Sequence, residues 1–366
     1  MRLARYILAR FLANVIKVQL AFLVLIFVID GVEQAQRLSP YDVQGAEVLY
    51  LVALRAPQYM MKIFPLVMML ASLSTFVGLA RNSELVVMRG AGQSGIRLLV
   101  VPVLTTVIIG VLITTMFNPI VAATIRRTDV LLAEYNIGGQ SLVSLGSKEI
   151  WLRQGNEESQ FVIQADRASF NGTILFKLNL FEFTPDGSLI RRMEADTGKL
   201  GGGEWLLRNG TEWRFDYAAT DAVIAKTGFD ELVLQTTLTS QEILEKFASP
   251  EAVSIYDLPA LIVRLKEAGF SDQRQRLFFQ AELARPIMLV AMVLIGAGFS
   301  MRHARFGQTG LMVLIAVFSA FMLYSLQSIA ESLGAAFEIP IALAAWGPPS
   351  AGILLTMGLL LHLEDG

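Results

Sequence analysis

The chain has 366 residues, 54% of them hydrophobic and only 17% charged, with a formal net charge of −2. So few charges fall below the usage of about 25% in soluble domains, and a near-neutral balance gives no field for nucleic acid. The absence of cysteine excludes disulfides, thiol catalysis and thiolate metal sites.

The amino-terminal run "RYILARFLANVIKVQLAFLVLIFVID" is too long for a signal-peptide core and lacks a small-residue cleavage site, so it reads as a retained anchor. Six stretches meet the spanning length of about 20 apolar residues: 11–30, 60–80, 98–120, 281–300, 310–330 and 342–362. In lipid the backbone must satisfy its own hydrogen bonds, so each is a predicted helix. Pro65, Pro102 and Pro286 are read as lying near span ends. Arg2, Arg5 and Arg10 flank the first span, Arg81, Arg89 and Arg97 separate spans two and three, and Arg302 and Arg305 separate four and five. This distribution puts both termini in the cytoplasm.

Between spans two and three stands "ARNSELVVMRGAGQSG". Asn82 or Ser83 can cap a short helix, Glu84 suits its first turn, and Gly90 and Gly92 end it. Leu85, Val86 and Met88 then form an apolar face beside Arg89, exposed to the cytoplasm. Such a surface suits insertion into a partner's groove, or a helix resting on headgroups.

From Lys148 to Thr239 the pattern changes to strand alternation, with turn signals at 184–187 and 208–210. The reading is an all-β domain inserted between spans three and four, outside the cytoplasm, with Phe176 and Phe181 facing its interior. Domain limits are 1–125, 126–253 and 254–366. "NGT" at 171–173 and 209–211 matches a glycosylation sequon but reads as a hairpin turn. The stretch 254–270 is a predicted amphipathic helix, capped by Asp257 and ended by Gly269.

Catalytic signals are missing. "GGGEW" and "GSK" lack the spacing of a phosphate loop, and His303 and His362 lie in separate segments, so no metal site is expected. Intramembrane charges look scarce, with Lys17 snorkelling and Asp30 and Lys62 at outer ends. That disfavours an ion-coupled carrier or an intramembrane protease. The fold class is α+β: six transmembrane helices with an inserted β domain.

The block "LARNSELVVMRGAGQSG" resembles the coupling-helix signature of the LptF/LptG family of lipopolysaccharide export permeases. "RYILARFL", "FPLVMMLASLSTFVGLA" and "ELARPIMLVAMVLIGAGFS" resemble the family's first, second and fourth spans. The resemblance covers essentially the whole chain and is nearer the LptG branch than the LptF branch. It implies a jellyroll-like periplasmic domain and an ATPase-coupling helix of Ser83, Glu84, Leu85, Val86, Met88, Arg89 and Gly90. It also implies a non-enzymatic subunit of the inner membrane that binds no cofactor, ATP being hydrolysed by a separate subunit. The implied partners are the homologous permease LptF, a dimer of the ATPase LptB, LptC, the bridge protein LptA reached through LptC, and lipopolysaccharide as substrate. Lysines expected along the outer part of span one are replaced by "FVIDGVEQAQR". Arg37, Arg55 and Lys62 are the substitute lipid-binding candidates. Phe318, Phe321 and Tyr324 on span five are candidates for a lateral gate. The alternatives are a mechanotransmission permease and a membrane-anchored envelope-assembly scaffold.

Overall fold

The computed structural model describes residues 2–39, 45–134, 150–155, 160–168, 174–184, 188–201, 203–215, 223–236, 250–267, 272–301 and 309–365. It divides into two compact units, Met1–Ile125 with Pro250–Gly366, and Arg126–Ser249. The expected helix-ending Gly269, the basic residues Arg302 and Arg305 with His303, and the Asn171 turn lie outside the described residues.

The first unit is helical. Its elements are α1 (Arg2–Leu38), α2 (Gly45–Arg81), α3 (Glu84–Gly90) and α4 (Gly95–Leu112), then a π-helical segment (Ile113–Phe117) and the first half of α5 (Asn118–Glu134), whose residues from Arg126 on belong to the second unit. After the inserted unit come a 3₁₀ turn (Pro250–Ala252), α6 (Leu258–Glu267), α7 (Gln273–Ser300), α8 (Thr309–Ala335) and α9 (Ile341–Asp365). Among the described residues, six helices are long and apolar enough to cross a membrane. They run longer than the apolar runs suggested, α1 and α2 having 37 residues each. Pro65, Pro102 and Pro286 therefore lie inside helices rather than near their ends.

The helix α7 is the hub and packs against α2, α4, α8 and α9. Its most apolar window is 72% buried, against 6% for α1 and 17% for α8, so the last two stand at the periphery of this chain. Small residues allow the tight crossing of α7 and α2. A Cβ added at Gly296 would lie 2.5 Å from the Met69 carbonyl oxygen, and Ser72 Oγ donates to the Val293 carbonyl at 2.7 Å. Close backbone approach with a few interhelical hydrogen bonds is how helices associate where lipid supplies no hydrophobic drive.

The second unit holds one antiparallel sheet in plain sequence order: β1 (Ile150–Gly155), β2 (Gln160–Ala168), β3 (Ile174–Phe183), β4 (Leu189–Gly201), β5 (Glu204–Phe215) and β6 (Val223–Gln235). One face carries a buried cluster of Ile163, Leu175, Leu178, Leu180, Met193, Ala195, Leu200, Trp205 and Leu207. Alternation along the strands changes phase midway. Leu175 and Leu178 both reach the cluster, as do Ala195 and Leu200, although simple alternation would put each pair on opposite faces. The shift falls where the register passes over a row of residues, Lys177, Asp196, Asn209 and Asp230. Lys177 and Asn209 there have φ of 49° and 52°.

Two expectations are corrected by this row. Phe176 and Phe181 are half-buried on the face opposite the cluster: Phe176 alternates with the buried Leu175 and Phe181 with the buried Leu180, on either side of the phase shift at Lys177 that puts both on the same face. The stretch 208–210 is not a hairpin turn. It lies within β5, where Asn209 bends the backbone without reversing it. The junction at 184–188 does reverse the chain, closed by Thr184 N–H to the Ser188 carbonyl at 2.9 Å.

The ends of the two faces differ in chemistry. On the outward face Arg192 lies 5.7 Å above the Phe181 ring and 5.2 Å above that of Trp213. On the inward face Glu212 is bound by Arg214 at 2.8 Å and Arg191 at 3.4 Å. Burial pushes the Glu212 carboxyl up, but the bonds and charges of the two arginines outweigh it and leave the group below its usual range.

Candidate functional site

Two places in the helical unit concentrate polar side chains. The first surrounds α3. Chain direction changes at Ser83, whose φ of 60° sets the left-handed conformation. The Ser83 side chain makes no capping bond; the expected side-chain cap is not formed there, and the Glu84 carboxylate instead binds side chains around the start of the helix. Glu84 accepts from Tyr6 Oη at 2.8 Å, from Asn82 Nδ2 at 3.1 Å and from Arg10 Nη1 at 2.9 Å. Arg10 also donates to Tyr6 Oη at 2.7 Å. The hydrogen bond from Tyr6 is the main cause that holds the Glu84 carboxyl below its ordinary range; burial opposes it, and Asn82 and Arg10 add to it. Gly78 on α2 leaves the passage that Arg10 uses, since a Cβ there would lie 2.9 Å from Arg10 Nη2.

The apolar side chains of α3 divide between two directions. Leu85 is 5% exposed and joins a core with Ile7, Phe76, Leu79, Leu98 and Leu99, against which Met88 packs half-buried. Arg89 Nη2 donates to the Met301 carbonyl at 3.4 Å, at the end of α7. Gly90 is exposed, and Gly92, with φ of 82°, completes the exit. The outward residues are Val86 and Val87, 57% and 71% exposed. The expected outward face of Leu85, Val86 and Met88 is therefore corrected. Leu85 and Met88 fasten the helix, and Val86 with the unforeseen Val87 is what it presents. The helical period alone does not say which side of a two-turn helix meets the bundle.

The second place lies at the opposite end of α2. Asp30, on α1, is buried 3.4 Å from Arg55 Nη2, and Gln34 donates to its carboxylate at 3.2 Å. Arg55 also donates to Tyr59 Oη at 2.6 Å. Lys62 Nζ lies 3.3 Å from Glu251, which accepts from Gln58 at 2.8 Å. On α7, Arg285 pairs with Glu282 and donates to the Met61 carbonyl at 3.3 Å. Glu331 on α8 accepts from Gln327 at 2.6 Å, and Tyr324 Oη donates to the Lys62 carbonyl at 3.4 Å.

Of the lipid-binding candidates, Arg55 and Lys62 are thus engaged by carboxylates, and Arg37 is half-buried in the last turn of α1. Phe318 and Phe321 are exposed on α8, while Tyr324 is half-buried. The expectation that the spans hold few charges is corrected. Asp30, Glu282, Arg285 and Glu331 all lie within helices of spanning length: Glu282 and Arg285 inside the run 281–300 itself, Asp30 at the end of the run 11–30 and Glu331 just past the run 310–330, in helices that continue to Leu38 and Ala335.

The sequence profile described as lipopolysaccharide export system permease LptF/LptG matches residues 5–362. The chain is similar to the lipopolysaccharide export system permease protein LptG of Haemophilus influenzae, with 24% identity over 377 residues that cover 99% of each chain. It is also similar to the LptG protein of Escherichia coli K12, with 24% identity over 336 residues, 91% of this chain and 90% of the relative. Matched nearly from end to end, and with six described apolar helices and a β sheet inserted in sequence between the third and the fourth, the chain belongs to the LptF/LptG family of lipopolysaccharide export permeases.

Proposed function

We propose that this chain is the LptG-like permease subunit of an ATP-driven transporter that extracts lipopolysaccharide from the inner membrane and passes it to a periplasmic β bridge. The observation that carries the reading is the way α3 is mounted. Glu84 ties it to α1, Leu85 to the core of α1, α2 and α4, and Arg89 to the end of α7, while Val86 and Val87 remain outward. A short helix fastened to so many helices and apolar on its free side suits the transmission of a partner's motion.

In this reading α3 faces the cytoplasm, as do both termini, and docks on an LptB dimer that binds and hydrolyses ATP. The permease itself has no catalytic role and no cofactor. LptF is the second permease, the sheet unit is periplasmic, and LptC relays lipid to LptA. The peripheral α1 and α8 supply the seams shared with LptF.

The test is purification of the tagged chain from its own envelope in mild detergent. An ATPase and a sister permease should copurify and release lipopolysaccharide with ATP. Val87→Asp should abolish ATPase capture while the subunit stays inserted and paired with its sister. Undiminished capture and release by that variant would sink the assignment of α3.

A further inference from the structure

The connector that begins at Pro250 carries a feature that the transport reading does not use. Glu251 is held by Gln58 and Lys62 of α2, two residues one turn apart and so on one helix face. An amide N–H and an ammonium converging on one carboxylate oxygen, Glu251 Oε2, make a small anion site, and the chain fills it with its own side chain.

Besides the pair of Arg276 with Asp272 at the start of α7, three described cation–carboxylate pairs stand at this end of the unit, and they differ in access. The carboxylates facing Arg55 and Arg285 have side chains only 4% and 1% exposed. Lys62 and Glu251 are 43% and 36% exposed. Separating a buried pair strands a charge, whereas an exposed pair is weak and exchanges readily. Glu251 can also leave alone. Four and five residues on, the connector is anchored independently by Ile255 N–H to Asn118 Oδ1 and by Tyr256 Oη to the Thr115 carbonyl, both at 2.9 Å.

We propose that Glu251 is a built-in competitor for an anion site formed by Gln58 and Lys62, which it yields to the phosphate or carboxylate headgroup of an anionic lipid. The proposal rests on the transport reading for the identity of that lipid. The site is kept neutral while empty of lipid, and headgroup arrival frees the start of the connector while its far end stays fixed on the π-helical segment.

The experiment uses the assembled transporter in nanodiscs of neutral phospholipid. A carbodiimide joins Lys62 to Glu251 as an amide, quantified by mass spectrometry of the linked peptides. Added lipopolysaccharide should lower the yield, and inorganic phosphate at equal concentration should not. E251Q should bind fluorescent lipopolysaccharide about two- to five-fold tighter than the wild type, the scale of losing one exposed pair. That gain should vanish on a K62Q background. An unchanged coupling yield, or a gain that survives K62Q, overturns the competitor. Equal displacement by inorganic phosphate overturns the lipid source. ATP-driven release in the same discs separates the two readings: release without displacement sinks only this inference, and displacement without release sinks only the transport assignment.

Discussion

The Glu84 carboxylate lies 2.9 Å from the Arg10 guanidinium, so the first residue of α3 is tied to α1 across 74 residues of chain. Because Tyr6, Asn82 and Arg10 hold the Glu84 carboxyl low, its contribution is fully present above the ordinary carboxylate value of about 4.3 and fades as pH falls through the lower folded value. The α1–α3 distance should therefore stay constant from neutral pH down to the ordinary carboxylate range and broaden only at pH below that range. The native chain has no cysteine, so one spin label on each helix reports it directly. Glu84→Gln should give the broadened distribution already at neutral pH.

Leu85 and Val87 should separate folding from partnership. Leu85→Ala should cost about 2–5 kcal/mol, as expected for an emptied core site, and lower the thermal midpoint of the purified subunit. Val87→Ala should leave the midpoint unchanged, since its side chain is 71% exposed, yet reduce ATPase affinity. Equal loss of stability in both would contradict the division of α3 into a fastened and a free side.

At the crossing of α7 and α2, Gly296 should tolerate no side chain. A Cβ 2.5 Å from the Met69 carbonyl oxygen forces the backbones apart. Gly296→Ala should destabilise by about 1–3 kcal/mol, the range for overpacking, while Gly358→Ala, where a Cβ meets nothing within 4 Å, should not. Thermal unfolding in detergent distinguishes them.

In the sheet, lipid contact should follow the inward face. Leu232 is half-buried and packs against the buried cluster, whereas Phe181 is turned to the other face. A photo-crosslinking residue at Leu232 should label with lipopolysaccharide only when ATP is supplied, and one at Phe181 should not. Labelling at Phe181 alone would reverse the faces.

The peripheral helices give a further outcome. Phe318 and Phe321 on α8 and Val24 and Val28 on α1 are all more than half exposed in this chain. A disulfide engineered from the outer half of either helix to the matching helix of the sister permease should stop lipid release, and reduction should restore it. Full crosslinking with undiminished release would exclude entry at these seams.

The six spans and the β insert were legible because length, hydropathy and strand alternation are properties of the chain itself. The place of α3 was legible for the same reason. Its orientation was not: Leu85, Val86, Val87 and Met88 are equally apolar in sequence, and only the packing of Ile7 and Phe76 decides which turn inward. The sheet interior failed at Lys177, since a positive φ at a lysine carries no sequence signal and reverses the assignment of every later side chain. Asp30 was read as a span-end charge because an apolar run marks where a helix is greasy, not where it ends, and Glu282 and Arg285 went unnoticed inside the mainly apolar run 281–300.

The pairing of Glu282 with Arg285 bears on how the protein enters its membrane. A charged residue at a helix centre costs about 2.5–3.5 kcal/mol during insertion, and α7 must bring two charges past a third of its length. Three residues apart, they face each other as soon as that turn of helix forms, whatever has been synthesised elsewhere. That turn can thus leave the insertion machinery internally neutralised, with Arg274 and Arg276 left at the start of the helix. Asp30 has no such partner on its own helix and meets Arg55 only once α2 is made. The expected order is that the amino-terminal helix is committed to the bilayer together with its successor, as a hairpin, and the later hub helix alone.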